Sequence, residues 1–80
     1  MEVFPNPSHG LVHLSFNAER VNNYMVNVTN ALGAIVYRSA VNVVSGKVDK
    51  EIDLSKLSKG VYMINVSDGN TVVSKRITLD

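Results

Sequence analysis

Val61-Tyr62-Met63-Ile64-Asn65-Val66-Ser67, then Asp68-Gly69-Asn70, then Thr71-Val72-Val73-Ser74-Lys75-Arg76-Ile77-Thr78-Leu79: this stretch decides the fold. Two β-branched, alternating runs flank an Asp-Gly pair, and Asp-Gly between such runs is among the strongest hairpin signals. A two-residue turn at Asp68-Gly69 sets Val66 opposite Thr71, Ile64 opposite Val73 and Tyr62 opposite Lys75. Val73, Ile77 and Leu79 then share a core face with Tyr62, Ile64 and Val66. The same register turns Lys75 inward. Two solutions stay open: Lys75 lies at a rim and snorkels, or a bulge shifts the register.

Upstream, the same period of two recurs. Val12, Leu14 and Phe16 alternate with Leu11, His13 and Ser15, and Tyr24, Val26 and Val28 with Met25, Asn27 and Thr29. Such alternation marks half-buried strands. Asn30-Ala31-Leu32-Gly33 reads as a turn in which Gly33 supplies a positive φ. Strands are expected at Ala34–Arg38 and Val41–Val44, a break at Ser45-Gly46, and a weakly amphipathic strand at Val48–Leu54. Ser55 to Gly60 is a connection with room for one helical turn. At the start, Val3-Phe4 forms a short edge strand that runs into the rigid Pro5-Asn6-Pro7 turn. About seven short strands with turn signals between them predict an all-β fold, an antiparallel immunoglobulin-like β-sandwich. A small open barrel is the alternative.

Composition narrows the function classes. The chain has 80 residues, enough for one domain, with 45% hydrophobic and 19% charged residues, the balance of a packed domain rather than a disordered segment. Val, Ile and Thr supply 21 residues, which suits pleated strands. A formal charge of +1 argues against non-specific nucleic-acid binding. No apolar run approaches the ~20 residues of a membrane helix, so no membrane insertion is expected. With no cysteine, disulfides and cysteine-based zinc sites are excluded. Met1-Glu2-Val3 shows neither the basic nor the apolar region of a signal peptide, and the expectation is a domain excised from a larger protein.

Chemistry-bearing patterns are sparse. His9 and His13 have metal-ligand spacing for a helix, but Gly10 intervenes and the segment reads as turn into strand. They are expected as solvated surface histidines. No Gly-x-Ser-x-Gly elbow and no Gly-rich phosphate loop occur. Lys47, Asp49, Lys50, Glu51, Asp53, Lys56 and Lys59 mix signs and read as a solvated face. Asn27-Val28-Thr29 and Asn65-Val66-Ser67 match a glycosylation sequon but lie inside expected strands. No catalytic residue, cofactor or metal is expected. A core this small leaves little interior for a catalytic cleft.

Three segments, in order, carry a resemblance. They are Val3-Phe4-Pro5-Asn6-Pro7 with Val12-His13-Leu14, then Val26 to Val36 with the Thr29-Asn30-Ala31-Leu32-Gly33 turn at its centre, then Ile52-Asp53-Leu54-Ser55-Lys56-Leu57-Ser58-Lys59-Gly60-Val61-Tyr62 running on to Val66. Together they resemble the type A C-terminal sorting domain of the type IX secretion system of Bacteroidota. The resemblance covers nearly the whole chain, and the Asp-Leu-Ser-x-Leu-x-x-Gly-x-Tyr run is its most specific part. The family ends in a basic strand, which Lys75-Arg76-Ile77-Thr78-Leu79 fits. Asn30 stands where an Asp is usual, and Asp80 where a Lys is common.

The resemblance implies residues 1–80 are a single sorting domain at the end of a larger secreted protein. The domain would direct an N-terminal cargo domain from the periplasm through the outer-membrane translocon. A sortase-like peptidase then usually removes it and anchors the cargo at the cell surface. Within the motif, Pro5, Asn6, Pro7, Gly33, Asp53, Leu57, Gly60 and Tyr62 are expected to shape the fold. Lys75, Arg76, Ile77, Thr78 and Leu79 are the residues the translocon is expected to read, with strand addition at a free edge as the mode. The competing reading is an accessory β-sandwich that binds carbohydrate or protein. Only Phe4 and Tyr37 are left over from the expected core to form its aromatic platform.

Overall fold

The computed structural model describes residues 1–18, 22–43 and 46–80, with the side chains of Asn22 and Val43 left aside. Seven strands follow one another: β1 Glu2–Phe4, β2 Leu11–Ala18, β3 Asn22–Thr29, β4 Ile35–Val43, β5 Gly46–Asp53, β6 Gly60–Ser67 and β7 Val72–Leu79. All strand pairs are antiparallel. A three-stranded sheet ordered β1-β2-β5 faces a four-stranded sheet ordered β4-β3-β6-β7. This is the expected antiparallel immunoglobulin-like sandwich, with β5 returning to lie beside β2 and β6 beside β3.

The core lies between the sheets. β2 contributes Val12, Leu14, Phe16 and Ala18, and β3 contributes Val26 and Val28. Ile52 comes from the end of β5 and Leu54 from just after it, Tyr62, Ile64 and Val66 from β6, and Ile77 and Leu79 from β7. The hydrophobic core residues of β2, β3, β6 and β7 alternate along each strand, as the pleat demands. Tyr24, expected inside, is half-buried and tilts against Phe16 with ring centroids 5.2 Å apart.

Three local expectations are corrected. Ala34–Arg38 and Val41–Val44 are expected as separate strands, but β4 is one strand from Ile35 to Val43, paired with β3 through a register shift at Val28/Thr29. Val44 and Ser45 lie outside the described residues, and Gly46 already opens β5. The Ser55 to Gly60 connection holds a turn closed by Leu57 N–H to the Leu54 carbonyl at 3.0 Å, not a helical turn.

The third correction is the terminal register. The β6–β7 loop spans four residues, Asp68 to Thr71, so Ser67 pairs Val72 and Val66 pairs Val73. Asp68 Oδ1 explains the longer loop: it accepts the backbone N–H groups of Asn70 and Thr71, both at 2.8 Å. Asp68 N–H also donates to the Thr71 carbonyl at 3.2 Å, so Asp68 and Thr71 face each other and the turn is centred on Gly69-Asn70, one residue later than expected. The two-residue slip conserves the faces but changes the partners: Tyr62 now opposes Ile77, and Ile64 opposes Lys75. No bulge interrupts the pairing. Lys75 shares the inward parity of Ile77 and is nevertheless exposed. Val73, expected in the core, is 50% exposed. Both border open clefts that they share with the first residues of the chain, Val73 with Met1 and Lys75 with Glu2 to Phe4, so Lys75 reaches solvent at a rim.

Candidate recognition surface and motif sites

Asn6 is the centre of the opening motif. Its carboxamide carries one donor and one acceptor like a peptide group. Nδ2 donates to the Arg76 carbonyl and Oδ1 accepts from Thr78 N–H, both at 3.1 Å. Ser8 continues the contact through backbone: its N–H donates to the Thr78 carbonyl, and its carbonyl accepts from Asp80 N–H, each at 2.9 Å. Pro5-Asn6-Pro7-Ser8 therefore lies along the outer edge of β7 and satisfies it from Arg76 to Asp80. The prolines hold the chain in the extended bend that presents Asn6.

Ser8 and Gly10 were missed in the sequence. Ser8 is buried, accepts Gly10 N–H at 3.0 Å and donates to the Leu11 carbonyl at 2.8 Å. Gly10 has φ +137°, and a Cβ there would lie 2.6 Å from Ser55 Cα, which no backbone can tolerate. The Gly10 carbonyl accepts Leu54 N–H at 2.7 Å. The opening motif thus packs on the Asp53-Leu54-Ser55 turn, the start of the most specific motif. The signal available was the glycine itself, standing between a turn and a strand.

That turn is set by Asp53, whose Oδ1 accepts Ser55 N–H at 2.9 Å. Hydrogen bonds from the Ser55 side chain and backbone, helped by the Lys56 charge, hold the Asp53 carboxyl below the usual carboxylate range. Leu57 packs half-buried against the core. Gly60 opens β6 opposite Leu79. Tyr62 is 6% exposed, and its hydroxyl donates 2.7 Å to the Ser58 carbonyl four residues upstream. A tyrosine at the start of this strand, bonded back across the corner, is the tyrosine corner of immunoglobulin-like sandwiches.

The central turn is built on Asn30. Its Oδ1 accepts the N–H groups of Leu32 and Ala34, each at 3.0 Å, while Gly33 adopts φ +86°. An Asp would accept the same two bonds, so the departure at Asn30 keeps the geometry.

The residues expected to be read divide into two groups. Lys75 and Arg76 are exposed, Ile77 and Leu79 are buried core residues, and Thr78 is half-buried beneath the opening motif. Because Thr78 points its backbone groups outward, alternation turns those of Val72 and Ser74 outward too. Among the described residues no strand pairs with that stretch. Val72 is 61% exposed. The open part of the last strand therefore runs from Val72 to the Arg76 N–H, the Arg76 carbonyl being held by Asn6.

The other candidates disperse. His9 Nδ1 lies 3.2 Å from Asp80 Oδ1, and His13 Nε2 lies 4.0 Å from Glu51 Oε2, so the two imidazoles face different carboxylates. Asn27 and Asn65 hydrogen-bond each other at 2.8 Å across β3 and β6, and Ser74 donates to Asn65 at 2.7 Å. Both sequon side chains are thus engaged in a ladder within the sheet. Phe4 stacks on His13 in one sheet and Tyr37 belongs to the other, so they form no shared platform.

Among the described residues the chain is a seven-stranded sandwich whose opening motif clamps its own last strand. Residues 2–80 match the family described as secretion system C-terminal sorting domain, and the chain belongs to that family. Its role is that of the C-terminal sorting signal in type IX secretion. It implies a secreted or cell-surface cargo attached to the domain and an interaction with the secretion machinery. A comparison with curated proteins gives no match.

Proposed function

We propose that the type IX translocon reads the open half of β7, Val72 to Arg76, by strand addition, with Lys75 and Arg76 supplying charge. The observation that supports this reading is the division of β7 itself. Its C-terminal half is buried and clamped, whereas its N-terminal half offers outward backbone groups and two exposed basic side chains. An added strand gains main-chain hydrogen bonds there, and the basic pair favours an acidic one. Ile77, Thr78 and Leu79 hold the strand in place for that contact. The cargo then passes from the periplasm through the outer membrane, and a sortase-like peptidase removes the domain at the surface. The domain is a substrate of this machinery and not an enzyme.

The test uses a periplasmic reporter fused upstream of the domain in a host with a type IX system. The Lys75→Ala, Arg76→Ala double variant should keep its stability within about 0.5 kcal/mol, since both side chains are exposed. It should accumulate in the periplasm while the unchanged fusion reaches the surface or medium. Normal export of the folded double variant would refute recognition through this pair.

A further inference from the structure

We propose that two copies of this chain associate through β4, pairing antiparallel about a two-fold axis at Ser39, so that their four-stranded sheets join into one sheet of eight strands. The inference concerns the edge of the sheet opposite β7 and rests on neither the translocon nor the open half of β7.

β4 is an edge strand with an open outer side. Among the described residues it pairs with β3 alone. It is also the longest strand, nine residues from Ile35 to Val43. Its pairing shifts register at Val28/Thr29, and Tyr37 to Val43 is regular. Asn30 N–H bonds the Ala34 carbonyl, which fixes the parity: even-numbered residues of β3 aim their backbone groups at β4. Tyr24, Val26 and Val28 therefore exchange hydrogen bonds with Val41, Ser39 and Tyr37. The N–H and C=O groups of Arg38, Ala40 and Asn42 point away from the sheet, where no described strand receives them.

β5 and β7, edges of the same sandwich, are guarded. β5 carries Lys47, Asp49, Lys50, Glu51 and Asp53, charges of the kind that deter edge-to-edge pairing. β7 is clamped by Asn6 and Ser8 and carries Lys75 and Arg76. β4 has a single charge, Arg38, and no proline.

A second copy suits this edge because the edge complements itself. An axis at Ser39 sets Ser39 against Ser39, Arg38 against Ala40 and Tyr37 against Val41. No like charges meet, and an aromatic lies against a β-branched side chain, a favourable cross-strand pair. Tyr37 and Val41 are only partly buried against the core, and Ser39 is half-buried. Pairing covers their free flanks, and the two Arg38–Ala40 pairs exchange main-chain hydrogen bonds. A contact of this kind falls below ~1,200 Å², the range of weak associations.

Sedimentation of the 80-residue chain at concentrations up to about 1 mM should show a reversible monomer–dimer equilibrium. Ala40 is exposed and faces Arg38 of the other copy in the dimer. Ala40→Glu should tighten the dimer and Ala40→Lys weaken it, each by roughly three- to tenfold. Leu32→Glu and Leu32→Lys make the same charge changes at a turn residue that is 94% exposed, and should leave the equilibrium unchanged. Disulfide formation reads the register, since the chain has no cysteine of its own. In Ser39→Cys the two thiols meet across a non-hydrogen-bonded pair with Cα atoms ~4.5 Å apart, within disulfide reach, and should cross-link. In Val41→Cys each thiol faces Tyr37 of the other copy, and the two should not cross-link. A chain that stays monomeric throughout would overturn the proposal. So would an association indifferent to the sign of the charge at position 40, or Val41→Cys cross-linking as fast as Ser39→Cys.

Discussion

Replacing Asn6 by Ala removes two side-chain hydrogen bonds that tie the opening motif to a strand 70 and 72 residues away. Each such bond contributes about 0.5–1.5 kcal/mol net. The freed Arg76 carbonyl and Thr78 N–H lie at an exposed edge, where water can replace the carboxamide, so the lower part of that range applies to each. The expected loss is about 1–2 kcal/mol in total. Unfolding entropy of about 2.1 cal/mol/K per residue gives roughly 170 cal/mol/K for this chain, so the melting temperature should fall by about 6–12 °C.

The local effect is sharper than the global one. Thr78 N–H points out of the sheet and has Asn6 Oδ1 as its partner. In Asn6→Ala its exchange should accelerate far more than that of Ile64, which lies at the centre of the sheet. Asn6→Asp is the discriminating companion. It retains an acceptor for Thr78 N–H but sets a carboxylate against the Arg76 carbonyl. Thr78 should then stay protected while stability still falls. If Asn6→Ala leaves both the melting temperature and Thr78 exchange unchanged, the opening motif does not clamp β7, and its role lies elsewhere.

Two further outcomes follow from the same geometry. Tyr62→Ala should cost about 3–5 kcal/mol, whereas Tyr62→Phe should lose only the bond to Ser58, about 1 kcal/mol; chemical denaturation of both variants separates ring from hydroxyl, and equal losses would refute the corner assignment. Asp53 has a lowered carboxyl pKa in the folded state, so its contribution is present above its unfolded value and lost as pH falls through the lower folded one. Asp53→Asn should therefore flatten the stability profile on the acid side of about pH 4, as followed by thermal melts, and an unchanged profile would place the acid-sensitive group elsewhere.

Period-two patterning was enough for the sheets and for most of the core, because Val12, Leu14, Val26, Val28, Ile64 and Ile77 each sit at a position where one face must be dry. What it could not supply was the centre of the turn. Asp68-Gly69 suggests the central pair by composition, but Asp68 bonds Thr71 through its backbone N–H and its carboxylate, which moves the centre of the turn to Gly69-Asn70. A slip of two leaves every side chain on its own face, so no violated pattern announces it. Nor does alternation say where a sheet ends. Val73 and Lys75 have inward parity, and their exposure comes from the open clefts they share with residues 1–4, which the local run does not reveal.

The site was legible in its members and illegible in its connection. Asn6 and Thr78 lie at opposite ends of the chain, and nothing local in Pro5-Asn6-Pro7 states that its carboxamide will stand in for a peptide unit of a neighbouring strand. That contact nonetheless governs how the last strand is presented. Without it, the outward backbone groups of Arg76 and Thr78 would join those of Val72 and Ser74 in one long free edge, the feature that sheets ordinarily shorten or cover to avoid indiscriminate pairing. With it, the free edge stops at Arg76, beside the two basic side chains. The opening motif therefore sets the length of the open edge as well as its stability. Ser8 adds backbone bonds to the same clamp, and Gly10 seats it against the Asp53 turn. Residues from the first and third motif segments thus converge on β7, which makes the ordered set of motifs one structural unit that ends in the strand it positions.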